Sequence, residues 1–304
     1  MEIVLYGAGK RGRGIFHFLK ECGYGNMIYG FCDKNAESIG MLQGKKVYTL
    51  QELEKGKYIY CLTLLDKNVR EQIRKDLDGE KCIDIGDLPD ILKIDKVKFN
   101  RDFCAFYHIQ GMDDYFQEAE TVTDIFWSKD SIFYKCFKQM NIQRIVEVAC
   151  GRGRHIPYFM KESEEIMLVD ILQNNIDFCK NRFCDVPQVK YYKNDGYDLK
   201  ELKDNYYTAV YSYDAMVHFE MWDIWSYLKE IYRVLQNGGM ALIHHSNYDL
   251  DYKASFSIAP CGRNYMNKQL FAYLAYRVGF QIVFQEAIAW NGIKDLDCVS
   301  LLKK

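Results

Sequence analysis

Apolar and polar residues alternate along the chain in two regular patterns, short apolar runs and longer amphipathic segments. The runs EIVLY, MIYGFC, KKVYTL, KYIYCLTLL and KCIDIG are rich in β-branched and aromatic residues and predict five strands within residues 2–86. Between them, apolar residues at helical spacing in residues 10–22 and in VREQIRKDL predict helices. Because strands that alternate with helices favour a parallel sheet, we expect an α/β unit in the first third of the chain.

The same alternation returns in the second half of the chain. The runs RIVEVA, EIMLVD, QVKYYK, TAVYSYD and MALIHHSN predict five strands, and FQIVFQEAIAW and LDCVSLLK predict a terminal pair. The segment YLKEIYRVLQNGG predicts a helix that ends at Gly238 and Gly239, because glycine commonly follows the last helical turn. We therefore expect a small unit at residues 1–95, a helical connector at 96–120 and a larger unit at 121–304.

A glycine-rich turn follows the first predicted strand. Gly7, Gly9 and Gly12 form the pattern GxGxxG before a helix, and Asp33 lies 21 positions after Gly12 at the end of the second strand. In dinucleotide-binding units this arrangement places a phosphate at the helix N-terminus and an acid beside a ribose hydroxyl. The unit also resembles small Rossmann-like domains of bacterial enzymes that modify surface polysaccharides, some of which hold a nucleotide-sugar. A nucleotide or nucleotide-sugar site is expected here, and a fold that binds nothing and serves as a docking module is the alternative.

A second glycine-rich turn lies in RIVEVACGRGRH, from Arg144 to His155. This stretch resembles the first motif of the class I S-adenosylmethionine (SAM) dependent methyltransferases, in which an acidic residue precedes the turn. Ala149 stands where the family has its leading glycine. The segments EIMLVD, NDG and SYDA follow in the family's motif order, and the terminal pair of strands matches its hairpin. The resemblance covers residues 120–304 and implies an α/β protein of two Rossmann-like three-layer domains, the second with the class I methyltransferase fold and a terminal antiparallel hairpin.

The resemblance also implies which residues bind the cofactor, SAM. Asp170 is expected at the ribose hydroxyls and Asp195 near the adenine amino group. The full expected set is Glu147, Cys150, Gly151, Gly153, Asp170, Ile171, Asn194, Asp195, Gly196 and Tyr213. Most of these positions fall at the carboxyl ends of predicted strands, where parallel sheets bind ligands.

Methyl transfer to a hydroxyl requires a group that removes the hydroxyl proton, and histidine is suited to this near neutral pH. His218 and His245 follow the fourth and fifth predicted strands of the larger unit and are the candidate bases, with a buried packing role as the alternative for each. The two-residue period of a strand places His244 and His245 on opposite faces of the sheet. The substrate candidates are His244, Asn247, Arg263, Tyr265 and Trp127. Arg263 is expected either to clamp a carboxylate or phosphate or to be a solvated loop arginine.

Composition limits the classes of binding partner and the cellular compartment that we expect for this protein. The 304 residues carry a net charge of −2, and no basic stripe favours nucleic acid. The 11 cysteines form no CxxC pair and indicate reduced thiols rather than disulfides or a metal site. The chain enters a strand without a basic signal region and has no apolar run long enough to cross a bilayer, so a cytoplasmic location without a membrane span is expected. We expect a small-molecule substrate and no metal ion, and a homodimer is possible.

Together these features predict a SAM-dependent methyltransferase that O-methylates a sugar or nucleotide-sugar hydroxyl in surface-polysaccharide biosynthesis. N-methylation of an amino sugar or small amine is the alternative within the same class. Two alternatives from other classes stay open: an NAD-dependent oxidoreductase with its chemistry in the first unit, and a non-catalytic protein that binds SAM.

Overall fold

The computed structural model describes residues 2–110, 115–253 and 256–304. The chain divides into two compact units, Met1–Asp113 and Asp114–Lys304. The functional boundaries expected from the sequence, at 95 and 120, stay a prediction, and residues 111–114 of the expected connector lie outside the described part of the chain.

The first unit is an α/β unit built around one six-stranded sheet. Its strands are β1 (Glu2–Tyr6), β2 (Ile28–Cys32), β3 (Met41–Leu42), β4 (Lys45–Tyr48), β5 (Tyr58–Leu62) and β6 (Lys81–Asp84). Their order is β3-β4-β2-β1-β5-β6, with every neighbouring pair parallel except β3 and β4. Its helices are α1 (Lys10–Glu21), α2 (Ala36–Ile39), α3 (Lys67–Asp76), α4 (Leu88–Leu92) and α5 (Lys96–Gln110). The five predicted strands are confirmed, and only the two-residue strand β3 was not expected.

The second unit contains a seven-stranded sheet. Its strands are β7 (Arg144–Val148), β8 (Glu165–Asp170), β9 (Val189–Lys193), β10 (Tyr207–Ser212), β11 (Leu235–Ser246), β12 (Gln281–Trp290) and β13 (Ile293–Lys303). Its helices are α6 (Tyr115–Thr121), α7 (Thr123–Phe126), α8 (Ile132–Phe137), α9 (Gln173–Arg182), α10 (Met221–Val234) and α11 (Lys268–Val278). In the described ranges of both units, no helix combines the length and apolar character that a bilayer crossing requires.

The strand order of the second unit confirms the expected fold. It runs β12-β13-β11-β10-β7-β8-β9, in which β7 to β11 are parallel and β13 lies antiparallel between β11 and β12. This is the class I methyltransferase topology with its terminal antiparallel hairpin. Apolar side chains of α10 and α11 pack on one face of the sheet and those of α8 and α9 on the other, which gives three layers. Burial on both faces explains why the parallel strands have continuous apolar sequences.

The prediction that Gly238 and Gly239 end a helix is wrong. Helix α10 ends at Val234, and Leu235 is fully buried opposite Tyr207 in the sheet. The glycines instead lie inside β11, where the pairing of β10 with β11 shifts register. Gly238 has φ 77°, a conformation that favours glycine, so it allows the strand to bulge rather than the helix to stop.

Candidate active site

The carboxyl ends of the parallel strands in the second unit form the candidate site. Strands β7, β8 and β9 extend in one direction from the centre of the sheet, and β10 and β11 extend in the other. The crossover connections therefore diverge between β7 and β10. A cleft opens at such a switch point in open α/β sheets and is the usual ligand site.

The turn after β7 has an unusual backbone. Ala149, Gly151 and Gly153 all have positive φ values, of 58°, 54° and 70°. A Cβ on Gly153 would lie 2.7 Å from the ring of Phe183 in the segment after α9, so only glycine fits there. Ala149 adopts the left-handed conformation without being glycine, which stores strain at the start of the turn.

Asp170 at the end of β8 fastens this turn. Its carboxylate accepts hydrogen bonds from the backbone N–H of Gly151 at 2.9 Å and of Leu172 at 2.8 Å, and from the amide of Asn175 at 3.2 Å. Burial raises the pKa of Asp170 to about 6, although these donors act in the opposite direction. The acid expected at a ribose therefore also holds the glycine-rich turn in place.

Glu147 is a buried acid below the same turn. Its side chain is 3% exposed, and burial raises its pKa to about 8, so the carboxyl is largely protonated at neutral pH. Tyr211 lies opposite Glu147 in the sheet, and a hydrogen bond between the two side chains influences the pKa of each. Nε2 of the buried His155 has no hydrogen-bond partner in the described part of the chain. Orphaned buried polar atoms are costly unless a ligand or water satisfies them, so they suit a polar ligand.

The segment after β9 is arranged differently from what the family resemblance implies. Asn194 is buried, and its amide donates to the carbonyl of Asp198 and to the hydroxyl of Tyr227. Asp195 instead points outwards and pairs with Lys200 at 2.6 Å. Gly196 is buried with φ 84°. Of the other expected cofactor residues, Cys150 is buried in the turn after β7, and Ile171 is half-buried directly after β8. An adenine contact from Asp195 would thus compete with its lysine partner, and its cofactor role stays a prediction.

His218 lies in a short helix just after β10. Its Nδ1 is 2.9 Å from the carbonyl oxygen of Gly262. A carbonyl only accepts hydrogen bonds, so Nδ1 carries the proton and the basic lone pair of the neutral ring is on Nε2. The backbone carbonyl of His218 accepts from Asn264, which fixes the same segment to the loop before α11.

His244 and His245 are on opposite faces of β11, as the strand period predicts. His245 is fully buried and stacks on Phe271 of α11 with ring centroids 3.7 Å apart. Its ring nitrogens contact the carbonyl of Ser246 and the hydroxyl of Ser300, and burial lowers its pKa to about 3. A base with both nitrogens occupied inside the core is poorly placed to reach a substrate, so the geometry argues against His245 as the base. His244, also fully buried, faces the other side of the sheet beside Tyr213.

The expected substrate residues are mostly occupied by internal contacts. Arg263 is 2% exposed and binds Asp297 through two nitrogens, which excludes a solvated loop arginine and leaves little of the guanidinium for a substrate. The amide of Asn247 bridges Asp295 and Lys268, and Tyr265 is half-buried. Trp127 stacks on Tyr158 and donates its N–H to Nδ1 of His155 at 3.1 Å. These contacts favour structural roles for Arg263, Asn247 and Trp127.

Several contacts at this edge were not predicted from the sequence. Arg154 pairs with Asp214 at 2.9 Å, and both side chains are nearly buried. Asp297, His155 and Tyr211 are buried polar groups inside apolar segments. The sequence signal for Asp297 was a lone acid in the strand run LDCVSLLK, but its partners are 34 and 53 positions away.

The glycine-rich turn of the first unit is built like the one in the second. Gly7 has φ 108°, and a Cβ on Gly12 would lie 2.0 Å from the carbonyl oxygen of Gly7, so α1 packs directly on the turn. Gly9 precedes the first residue of α1. Asp33 accepts from the N–H of Ala8 at 2.8 Å and of Asn35 at 2.9 Å, which matches how Asp170 holds its own turn.

Comparison with known proteins agrees with this geometry. Residues 146–243, about a third of the chain, match the model of a methyltransferase domain family. These residues include the turn after β7, Asp170 and His218. The second unit thus contains a stretch that matches a methyltransferase domain. The described residues contain no cluster of three or more His, Cys, Asp or Glu side chains suited to a metal ion.

Solved structures of similar shape are distant in sequence. A SAM-dependent methyltransferase from Mesorhizobium loti is 13% identical over 57% of this chain and 97% of its own, with a TM-score of 0.48. A TehB-like SAM-dependent methyltransferase from Corynebacterium glutamicum is 19% identical over 63% of this chain and 97% of its own, with a TM-score of 0.45. The [4+2]-cyclase SpnF is 15% identical over 62% and 81%, with a TM-score of 0.46. The comparison with curated proteins finds no match.

Proposed function

We propose that the protein transfers the methyl group of SAM to a hydroxyl of a sugar or nucleotide-sugar, with His218 as the general base. The observation that carries this proposal is the hydrogen bond between Nδ1 of His218 and the carbonyl of Gly262, at 2.9 Å. It keeps the basic nitrogen at Nε2, at the edge of the sheet where we expect the cofactor to bind. An oxygen acceptor needs such a base, whereas a neutral amine does not.

The residues at this edge fit the cofactor. Gly151 and Gly153 leave the turn after β7 open to close approach by a ligand, Asp170 stands at the end of the next strand, and Glu147 is a buried acid below the turn. When bound, SAM supplies a methyl group on a positively charged sulfur. The protein's own part is to orient the acceptor in line with that methyl group and to remove the acceptor proton.

His218 is held ready for the proton transfer. As Nε2 takes the hydroxyl proton, the ring becomes positively charged, and its Nδ1–H already donates to a carbonyl dipole that stabilises this charge. The carbonyl of Gly262 also prevents the ring from turning away, because rotation would break the bond. A positioned general base contributes about 10²–10⁴-fold to a rate.

The first test combines calorimetry with a methyl-transfer assay on the whole protein. We expect S-adenosylhomocysteine to bind the wild type, and Asp170→Ala to abolish this binding because it removes the clasp on the turn. With a panel of nucleotide-sugars as acceptors, we expect His218→Gln to lower kcat by about 10²–10⁴-fold while the cofactor affinity stays within about twofold.

The outcomes separate the alternatives. Nearly full activity of His218→Gln on an amino sugar or small amine would replace O-methylation by N-methylation. Binding of S-adenosylhomocysteine without transfer to any acceptor would favour a non-catalytic SAM-binding protein. If only NAD binds, and Gly9→Asp removes that binding, the chemistry lies in the first unit and the proposal is wrong.

We propose further that the first unit binds a nucleotide or nucleotide-sugar at its own glycine-rich turn. Gly7, Gly12 and Asp33 are arranged as in the turn of the second unit, with α1 packed directly against the turn. The same calorimetric panel tests this: a nucleotide-sugar signal that Gly9→Asp abolishes supports the site. No signal from any nucleotide would favour a docking role.

A further inference from the structure

A continuous chain of buried polar contacts crosses the candidate site beside the tip of β10, residues 213–214. Asp297 of β13 accepts two hydrogen bonds from Arg263, at 2.9 Å from Nε and 2.5 Å from Nη2. Its Oδ2 also lies 3.2 Å from Nε2 of His244. The other ring nitrogen of His244 is 3.1 Å from the backbone nitrogen of Asp214. The contacts thus lead from the loop before α11 through β13 and β11 to the end of β10.

These contacts define the protonation of His244. A backbone N–H is only a donor, so Nδ1 of His244 must be the acceptor and carries no proton. The single ring proton is then on Nε2 and points at the carboxylate of Asp297. Burial would raise the pKa of Asp297, but hydrogen bonds from Arg263 and His244 hold it below its usual value. Asp297 therefore stays ionised and keeps accepting the His244 proton.

Asp214, whose N–H donates to His244, has a strained backbone. Asp214 has φ 56°, a left-handed conformation that costs a residue other than glycine about 1–2 kcal/mol. Its N–H is fixed by His244, and its carboxylate is fixed by Arg154 from the glycine-rich turn at 2.9 Å. Two independent buried contacts thus oppose relaxation of this residue.

We infer that His244 is a positioning residue: the ring proton held by Asp297 leaves Nδ1 free to accept the Asp214 N–H, and this contact fixes the backbone of Asp214, whose carboxylate pairs with Arg154 of the glycine-rich turn. This inference rests on the proposed function in one respect, namely that the cofactor binds at this turn. The side chains in this series of contacts are paired with one another, since Arg263 pairs with Asp297 and Arg154 pairs with Asp214. The charges of the two arginines and two aspartates therefore balance around a neutral His244, and these contacts shape the site rather than bind a charged substrate.

Two variants of His244 separate its two contacts. Asn places an oxygen where Nδ1 stands and keeps an acceptor for the Asp214 N–H, but it loses the bond to Asp297. Gln places an amide N–H where Nε2 stands and keeps the donor to Asp297, but it loses the acceptor for Asp214. Each variant leaves one buried group short of one partner, so their thermal stabilities serve as matched controls.

We expect His244→Gln to weaken the binding of S-adenosylhomocysteine at least about tenfold, and His244→Asn to retain clearly tighter binding than His244→Gln. Calorimetry measures both affinities, and thermal unfolding measures stability in parallel. Equal losses in the two variants, or a larger loss in His244→Asn, would overturn the inference.

Nitrogen NMR of histidine-labelled wild type gives a readout that does not depend on folding of a variant or on the cofactor. We expect the His244 signals of an unprotonated Nδ1 and a protonated Nε2. A wild-type ring protonated on Nδ1 contradicts the inference even if SAM binds, whereas the expected tautomer without any S-adenosylhomocysteine binding would refute the proposed function alone.

Discussion

Ala149 is the position in the second unit where the methyl group of an alanine should strain the backbone of the glycine-rich turn. It stands at φ 58° in the glycine-rich turn, where an L-residue with a Cβ pays about 1–2 kcal/mol. Replacement by glycine removes this strain but adds about 0.4–1 kcal/mol of chain entropy to the unfolded state. The half-buried methyl group also contributes less than the ~0.8 kcal/mol of a fully buried one. We therefore expect Ala149→Gly to be neutral or to stabilise by up to about 1 kcal/mol.

A second alanine in ordinary backbone, Ala287, serves as a matched control for the small effect of Ala149→Gly. Ala287 is also half-buried, but it lies in β12 opposite Cys298 in extended backbone. Ala287→Gly carries the same unfolded-state cost and removes a similar methyl contact, so it should destabilise by about 0.5–1 kcal/mol. The difference between the variants isolates the left-handed term, about 1–2 kcal/mol. In a unit of roughly 190 residues this separates the two Tm values by about 2–8 °C.

Differential scanning calorimetry of the two variants and the wild type measures these shifts. We expect Ala149→Gly to melt above Ala287→Gly by this margin and at or above the wild type. If both variants melt lower by the same amount, the turn is not strained at Ala149, and the conclusion that this residue stores strain at the site is wrong.

Three further predictions concern buried groups. Because the folded pKa of Glu147 is raised to about 8 from 4.5, its contribution to stability is present below about pH 4.5 and is lost as the pH rises through 8. The free energy of unfolding without ligand should therefore fall by a few kcal/mol more between pH 5 and pH 8 in the wild type than in Glu147→Gln. Denaturant titrations at several pH values measure this, and the same pH dependence in both proteins would contradict a buried neutral Glu147. Gly12→Ala should destabilise the first unit by about 3 kcal/mol or more because the new Cβ meets the Gly7 carbonyl. Gly14→Ala, with open space in the same helix, should instead stabilise the unit by about 0.5–1 kcal/mol. Chemical unfolding that gives the two variants the same stability would refute the close packing of α1. Trp127→Phe should cost about 1–3 kcal/mol in thermal unfolding because Nδ1 of His155 loses its donor, and a loss no larger than that of an exposed substitution such as Trp222→Phe would refute this bond.

The sequence by itself determined the fold and predicted a place for the site. Short continuous apolar runs predicted the strands, and apolar residues at helical spacing predicted several helices. The glycine-rich turns after β1 and β7 marked the carboxyl edges of both sheets. It also predicted that His244 and His245 lie on opposite faces of β11. These features depend on neighbours close in the chain, so a single sequence contains them.

The tertiary structure decided what the individual polar side chains do. Arg263 appeared to be a substrate or solvent residue, but Asp297, 34 positions later, draws it into the core. His218 and His245 were equal candidates until their partners, Gly262 and Ser300, became visible at 44 and 55 positions' separation. Hydrogen bonding and burial set the proton position and the pKa of each group, and both depend on residues that only the fold brings together. For this reason the sequence indicated the site, and the structure alone assigned His244 to hold the strand end that borders it.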